Sequence, residues 1–211
     1  MMPVCYIFGA MPLSRMPRVC DGDLVIAADN GYRRLAEWGV TPDLVIGDFD
    51  SAPRPDGDNV TVFPKRKDDT DMMLAVRAGL KRGYRRFCLY GGTGGRFDHT
   101  LANIETLAFL RANGAIAFLC GDGETLTLMR AGDRVTLPES TGRTVSLFAY
   151  TKAACVSLTG LLYEGDAIAL TNDFPLGVSN ETVGKSAQIA VLDGDVLAVF
   201  EGDAENFSFP T

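Results

Sequence analysis

The chain has 211 residues, of which 46% are hydrophobic and 22% are charged, and this is typical of a globular protein with one large domain or two modest ones. Its net charge of −7 argues against nucleic acid as a main partner, because a phosphate backbone requires a basic surface. A nucleotide is not excluded, since a metal ion and a few cations neutralise its charge.

The five cysteines do not form a pattern typical of a disulfide framework or a metal site. Their number is odd, their spacings are long and no CxxC occurs, which predicts free thiols in a reducing cytosol. No apolar run approaches the length of a membrane span, and the N-terminus lacks the features of a signal peptide. We therefore expect a cytoplasmic protein with no membrane contact.

Strands and helices alternate through the first part of the chain. Short apolar runs predict buried strands at 4–8, 24–28, 44–46, 59–63, 86–90 and 116–119. Caps and apolar periodicity predict helices at 32–38, from a cap at Asp69 or Thr70 to Gly83, and at 98–113. The apolar side of the last helix is assigned to Leu101, Ile104, Leu107, Ala108 and Phe109. This alternation predicts an α/β domain with an open, mostly parallel, Rossmann-like sheet and helices on both faces.

The character of the sequence changes after Gly121, where helical periodicity stops. Short β-rich runs punctuated by Gly, Asp, Asn and Pro follow at 125–129, 134–137, 144–150, 155–158, 168–171, 187–192 and 196–200. This pattern predicts an all-β domain, an antiparallel sandwich or barrel. We place the change between residues 121 and 132, and divide the chain into an α/β domain at 1–125 and a β domain at 126–211.

Acidic residues follow the third predicted strand and precede the second long helix. Asp48 and Asp50 come directly after 44–46, while Asp68, Asp69 and Asp71 lie at the helix N-terminus. Ligands bind at the carboxyl ends of parallel strands, and clustered carboxylates hold hard cations. Polar turns and helix caps are the alternative roles. Lys67, next to this group, either reaches a phosphate or lies on the solvated surface.

A glycine-rich turn at 91–95, followed by Arg96, connects a predicted strand to a helix. Backbone N–H groups at such a junction bind anions, and arginine is a strong phosphate ligand, so phosphate binding is favoured over a flexible turn. The turn is neither a P-loop nor the dinucleotide fingerprint, whose third glycine is replaced by Phe97. Asp98 caps the helix or helps to ligate a metal. His99, the only histidine, has a structural or ligand-contact role.

Two further polar segments each have a structural and a functional interpretation. Asp29, Asn30 and Gly31 form a tight turn after the second strand or contact a nucleotide. Residues 177–181 form a hairpin end or hydrogen-bond a polar heterocycle. On these residues alone the hairpin is favoured.

Taken together and in order, these segments resemble the thiamine pyrophosphokinase family of the bacterial type. The resemblance covers nearly the whole chain and rests on Ala28-Asp29-Asn30-Gly31, on Pro42-Asp43-x-x-x-Gly47-Asp48-Phe49-Asp50-Ser51, on Lys67-Asp68-x-Thr70-Asp71, on Gly91 to His99, and on Gly177-x-Ser179-Asn180-Glu181. Asn30 stands where the family usually has glycine. Because asparagine tolerates positive φ, we expect the turn to survive.

The resemblance implies an enzyme that transfers pyrophosphate from ATP to the thiamine hydroxyl, giving thiamine diphosphate and AMP. It implies that the α/β domain binds nucleotide and metal, that a β-sandwich domain binds thiamine, and that a homodimer forms its site at the subunit interface. Two alternatives remain. One is a pyrophosphokinase acting on another hydroxymethyl heterocycle such as a pterin, and the other is a sensor that binds without turnover.

The chemistry of such a transfer assigns roles to the polar residues. Mg²⁺ is assigned to Asp48, Asp50 and Asp71, and the catalytic residues are Asp71, Asp50 and Arg96. Nucleotide contacts are assigned to Asp29, Asn30, Gly31, Lys67, Asp68, Thr93, Gly94, Gly95, Arg96 and Asp98. Thiamine contacts are assigned to Ser179 and Asn180. Tyr163 either stacks on the thiazolium ring or belongs to the core.

Overall fold

The computed structural model describes residues 2–49, 57, 59–62 and 69–204 of the chain. The chain divides into two compact units, Met1–Asp122 and Gly123–Thr211. The predicted site residues Asp50, Lys67 and Asp68 lie outside the described residues. All five cysteines are free thiols, as predicted.

The first unit contains a sheet in which every described pairing is parallel. Its strands are β1 (Cys5–Phe8), β2 (Leu24–Ala28), β3 (Leu44–Gly47), β4 (Val60–Val62), β5 (Arg86–Tyr90) and β6 (Ile116–Cys120). Five of them are almost wholly buried, which is why they appear in the sequence as unbroken apolar runs: β1, β2, β3, β5 and β6. The prediction of a mostly parallel sheet is confirmed.

The strand order of this sheet is β6-β5-β1-β2-β3-β4. The chain builds outwards from β1 to β4 on one side and then returns to place β5 on the other side of β1. The order therefore reverses between β1 and β5. In open parallel sheets, such a reversal leaves a crevice outside the carboxyl ends of the two strands, where ligands bind.

Among the described residues, three helices connect these strands: α1 (Gly31–Glu37), α2 (Asp71–Lys81) and α3 (Phe97–Ala112). Thr70 is the N-cap of α2, and its side-chain oxygen accepts a hydrogen bond from the Met73 N–H at 3.1 Å. Gly114 follows the C-cap of α3 with φ of 71°, the left-handed conformation that glycine supplies at a helix end. None of the helices in the described ranges is long and apolar enough to cross a membrane.

The buried face of α3 differs from the predicted one. Its buried residues are Asn103, Thr106, Leu107 and Leu110, whereas Leu101 is 47% exposed. The prediction that Asp98 caps this helix is also wrong. Arg96 occupies the N-cap position, and Asp98 lies inside the first turn. The predicted and observed buried faces differ because Asn103, a polar residue, is buried by its hydrogen bond to the Gly92 carbonyl.

The second unit contains strands whose described pairings are all antiparallel, in the order β10-β9-β11-β8-β12-β7. They are β7 (Glu124–Arg130), β8 (Arg134–Ala149), β9 (Ala153–Thr159), β10 (Gly165–Thr171), β11 (Gly177–Asp193) and β12 (Asp195–Glu201). Their inward side chains form one apolar core that includes Val135, Leu147, Val156, Ile189 and Phe200.

Two strands of this unit are much longer than predicted. Strand β8 joins the predicted runs 134–137 and 144–150 through exposed polar residues. Strand β11 extends the predicted run 187–192 back to Gly177, so that 177–181 forms its first residues. Between them the register shifts several times, as at β-bulges. Each shift breaks the alternation of buried and exposed residues, so the sequence pattern there indicates turns rather than strand.

Candidate active site

An open cleft of about 350 Å³ lies in the first unit. Its walls come from the loop after β1, the end of β2, the glycine turn after β5, and the first turns of α2 and α3. The lining residues of predicted function are Asp29, Asp71, Gly91, Gly92, Gly95, Arg96 and His99. This is the crevice between β1 and β5 that the strand order leaves open, and it brings the glycine turn and two carboxylates into one place.

Three glycines of the turn after β5, Gly91, Gly92 and Gly95, line this cleft. Within the part of the chain that the structure describes, none of the N–H groups of residues 92–95 donates a hydrogen bond to a protein acceptor. Gly91 has φ of 64°, and a Cβ there would lie 2.8 Å from the Gly9 carbonyl oxygen. Glycine is required at this position, because the loops after β1 and β5 approach one another closely.

Arg96 and Asp98 form a two-pronged ion pair at the N-terminus of α3. The Arg96 Nη2 lies 2.5 Å from Asp98 Oδ2, and its Nε lies 3.1 Å from Oδ1. The side-chain hydrogen bond to Asp98 raises the pKa of Arg96, and the same bond lowers the pKa of the Asp98 carboxyl. Both groups are exposed, and Arg96 borders the cleft, so the ion pair holds a cation at the edge of the cleft.

The acidic residues occupy two kinds of position. Asp71, the first residue of α2, borders the cleft together with Asp29, while Asp48 follows β3 and is half-buried. Across residues 2–49, 57, 59–62 and 69–204, no three His, Cys, Asp or Glu side chains are grouped closely enough to hold a metal ion. Two carboxylates at one cleft nevertheless supply the oxygen donors that Mg²⁺ prefers, so the donor chemistry fits this ion.

The turn after β2 differs in detail from its prediction. Asp29, not Asn30, adopts the left-handed conformation, with φ of 50°, and Asn30 has φ of −71°. The tolerance of asparagine for positive φ is therefore not what preserves this turn. Gly31 packs directly against the Phe8 carbonyl, which leaves no room for a side chain, and it is not a lining residue of the cleft.

In the second unit, Asn180 is buried and Ser179 is exposed in the left-handed conformation, with φ of 59°. The Asn180 Oδ1 accepts from the N–H groups of Tyr163 and Glu181, at 3.0 and 2.9 Å, and its Nδ2 donates to the Tyr163 carbonyl at 2.8 Å. Tyr163 itself is 67% exposed, so of its two predicted roles the one in the core is wrong. Asn180 thus fixes the backbone that presents an exposed aromatic ring.

Sequence reasoning missed several residues of the cleft. The loop after β1 contributes Gly9, Ala10 and Met11, and α3 contributes Ala102 and Asn103. Their position became visible only with the strand order, which places β1 beside β5. In the sequence itself, only Gly9, directly after the first apolar run, indicated that a loop begins there.

Comparison with known proteins finds one family that resembles this chain. Residues 19–119 match the family model described as the catalytic domain of thiamin pyrophosphokinase. This segment therefore resembles the thiamine pyrophosphokinase family. It is 25% identical to the thiamine pyrophosphokinase of Bacillus subtilis over 189 residues, covering 85% of this chain and 88% of that one. It is 27% identical over 190 residues to thiamin pyrophosphokinase 1 of Caenorhabditis elegans, covering 84% and 75% of the two chains.

Solved structures of thiamine pyrophosphokinases have the same fold. The Bacillus subtilis structure superimposes with a TM-score of 0.84 at 22% identity, covering 95% of this chain and 99% of that one. The Geobacillus thermodenitrificans structure gives a TM-score of 0.79 at 25% identity, with 96% and 99% coverage. The likeness therefore extends over both units, beyond the segment that the family model matches.

Proposed function

We propose that this protein is a thiamine pyrophosphokinase, which transfers pyrophosphate from ATP to the hydroxyl of thiamine and releases AMP. The observation that carries this proposal is the cleft between β1 and β5. It combines the Arg96 guanidinium and the carboxylates of Asp29 and Asp71 with a glycine turn whose N–H groups have no acceptor among the described residues. The match of residues 19–119 to the catalytic domain of this family gives the reaction.

The polyphosphate of ATP binds at the glycine turn in this proposal. The N–H groups of Thr93, Gly94 and Gly95 and the positive end of the α3 dipole face its negative charge. Arg96 adds a planar fork of N–H donors that suits phosphate oxygens. Asp29 and Asn30, after β2, contact the nucleotide, as do Lys67 and Asp68 before α2.

Asp71 is proposed as a ligand of Mg²⁺, together with Asp48 and Asp50. When bound, the ion neutralises the polyphosphate and makes the β-phosphorus more open to attack. The support for this assignment is the position of Asp71 at the cleft and the oxygen chemistry of the group. Asp98 is not proposed as a ligand of Mg²⁺, since it holds the Arg96 guanidinium in place.

The transfer is a single nucleophilic displacement at the β-phosphorus of ATP. The thiamine hydroxyl oxygen forms a bond to the β-phosphorus, the bond from that phosphorus to the oxygen bridging to the α-phosphate breaks, and AMP leaves. The hydroxyl proton passes to a carboxylate, for which we propose Asp71. Most of the rate enhancement comes from positioning and charge stabilisation, as in other phosphoryl transfers.

The second unit is proposed to bind thiamine. Tyr163 stacks on the cationic thiazolium ring, because an exposed aromatic face attracts a cation. Ser179 contacts the heterocycle, and Asn180 holds the backbone of Tyr163 in place. We further propose that this unit closes as a β-sandwich, that the first unit is Rossmann-like with helices on both faces, and that a cytoplasmic homodimer places thiamine between its subunits.

The direct test is incubation with ATP, Mg²⁺ and thiamine, followed by chromatography of the nucleotides and thiamine esters. We expect thiamine diphosphate and AMP to form, and we expect no product when EDTA replaces Mg²⁺. A hydroxymethyl-pterin replaces thiamine in a parallel reaction. If the pterin is pyrophosphorylated and thiamine is not, the acceptor assignment is wrong. If neither product forms although ATP and thiamine both bind, the protein is a sensor instead.

A further inference from the structure

Two buried polar residues, Asn103 and Thr106, interrupt the face that α3 turns to the core. Thr106 satisfies its hydroxyl within its own helix, donating to the Ala102 carbonyl at 2.9 Å. Asn103 instead reaches out of the helix, and its Nδ2 donates to the Gly92 carbonyl in the glycine turn at 2.8 Å. Asn103 is only 6% exposed and borders the cleft. A buried carboxamide therefore connects α3 to the turn that faces the ligand.

Gly92 fits closely against this carboxamide. A Cβ built on Gly92 would lie 2.8 Å from the Asn103 Nδ2 and 3.0 Å from Cδ1 of Leu119. The preceding carbonyl, of Gly91, accepts a hydrogen bond from the Met11 N–H at 3.2 Å. Two successive carbonyls of the turn are thus fixed, one by the loop after β1 and the other by α3.

Fixing these carbonyls also fixes the N–H groups of the same peptide units. In a trans peptide the C=O and N–H bonds point in opposite directions. Attachment of the Gly92 carbonyl to Asn103 therefore turns the Thr93 N–H away from α3, and attachment of the Gly91 carbonyl to Met11 turns the Gly92 N–H away from that loop. Neither N–H has an acceptor among the residues that the structure describes. The arrangement leaves donors ready for an anion.

We propose that Asn103 is a positioning residue for the polyphosphate of ATP: its Nδ2 holds the Gly92 carbonyl so that the N–H groups of the turn keep their orientation towards the ligand. Asn103 acts through the turn rather than on the reacting atoms. The proposal rests on the proposed function, since it takes the polyphosphate of ATP as the anion that the turn binds. It adds a polar residue of α3, two helical turns from Arg96, to the residues that determine ATP binding.

The test uses two variants without the donor and one matched control. Asn103→Leu is neutral and of similar size, Asn103→Asp has the same shape, and neither donates to Gly92. Thr106→Val changes the other buried polar residue of the same face, away from the turn. Melting temperatures of all three establish whether they fold. Binding of inorganic tripolyphosphate, with Mg²⁺ present, is measured by calorimetry, and KM values for ATP and thiamine are measured by steady-state kinetics.

We expect both Asn103 variants to weaken tripolyphosphate binding and to raise the KM for ATP about tenfold or more, since small displacements of positioning groups cost up to about 100-fold. The KM for thiamine and all parameters of Thr106→Val should stay within about twofold of wild type. Wild-type affinity in Asn103→Leu would overturn the proposal. So would a loss confined to Asn103→Asp, since that indicates charge repulsion alone.

The two proposals fail in different ways. Tripolyphosphate binding is an equilibrium measurement that needs no turnover. If the wild-type protein binds tripolyphosphate but makes no thiamine diphosphate, the proposed function is wrong, and the Asn103 variants still test the role of the turn. If the wild-type protein makes thiamine diphosphate, and Asn103→Leu has the wild-type affinity for tripolyphosphate and the wild-type KM for ATP, only the proposed role of Asn103 is wrong.

Discussion

The Arg96 guanidinium lies against the Asp98 carboxylate two residues away, with 2.5 Å between Nη2 and Oδ2 and 3.1 Å between Nε and Oδ1. Their side chains are 74% and 62% exposed, so water screens the attraction and little fold stability follows from it. The consequence is geometric instead. The pair holds the guanidinium beside the cleft at the N-terminus of α3, where an incoming phosphate can engage its remaining donors.

Replacing Arg96 with Lys should impair the enzyme without destabilising it. Lysine keeps the charge but loses the planar fork, so we expect kcat/KM for ATP to fall at least about tenfold, because one charge-assisted hydrogen bond contributes about 1.5–3 kcal/mol. Arg134→Lys, an exposed arginine on β8, is the matched control and should retain wild-type kinetics. Equal kinetics in Arg96→Lys and wild type would remove Arg96 from the site.

Asp71 and Asp69 lie two residues apart but have different surroundings. Asp71 borders the cleft, whereas Asp69 pairs with the Arg77 guanidinium at 2.9 and 3.4 Å. Asp71→Asn should lower kcat by about 100-fold or more, the range expected for a lost proton acceptor. Asp69→Asn removes a partly exposed ion pair and should leave kcat within about threefold of wild type. Steady-state assays that rank the two variants in the opposite order would refute the assignment.

Replacing Asn180 should weaken the binding of thiamine without changing the binding of ATP. Asn180→Leu removes the three hydrogen bonds that hold the backbone at Tyr163 and Glu181, so the aromatic ring loses its fixed position. We expect the KM for thiamine to rise about tenfold and the KM for ATP to stay constant. Thr182→Val is the control. It also removes a buried acceptor on β11, at a cost of about 1–3 kcal/mol, without contacting Tyr163. If Asn180→Leu raised the KM values for thiamine and for ATP alike, the substitution would have disturbed the fold in general and not the thiamine site.

The turn that carries Tyr163 should show a pH-dependent contribution from Glu164. Hydrogen bonds from Lys185, and then from the Gly160 N–H, lower the pKa of the Glu164 carboxyl below its ordinary value of 4.5. A carboxyl with a lowered folded-state pKa stabilises the fold above the ordinary value and loses that contribution as the pH falls through the lowered one.

Urea unfolding of Glu164→Gln tests this contribution. The free energy of unfolding should be lower than in wild type at pH 7, and the difference should shrink as the pH falls below about 4. Glu139→Gln, at an exposed carboxylate on β8, should not differ from wild type at either pH. A difference between Glu164→Gln and wild type that is constant with pH would show that ionisation of Glu164 is not the cause.

The sequence predicted the first unit well because all of its strands except β4 are almost wholly buried. Strands β2 and β5 have the predicted ends, at residues 24–28 and 86–90. A short apolar run bounded by turn residues is typical of a buried strand, and the turn residues mark where it begins and ends. The face of α3 was mispredicted because Asn103 is buried by a hydrogen bond to Gly92, eleven residues earlier in the chain. Apolar periodicity carries no signal for such a contact.

In the second unit, the strands extend through polar and exposed segments. Residues 138–143 of β8 pair with β11 through bulges, so their burial does not alternate, and the sequence there is indistinguishable from a turn. In the site, the glycine turn and Asp71 were predicted from local motifs. The loop at 9–11 was not, because its place beside Gly91 depends on the parallel pairing of β1 with β5.

The central claim, pyrophosphoryl transfer to thiamine, is tested most directly by the stoichiometry of the products. Purified protein, ATP, Mg²⁺ and thiamine are incubated, and AMP, ADP, thiamine monophosphate and thiamine diphosphate are quantified over time. We expect AMP and thiamine diphosphate to appear in equal amounts, without ADP or thiamine monophosphate. Formation of ADP with thiamine monophosphate, or ATP breakdown without any phosphorylated thiamine, would contradict the account.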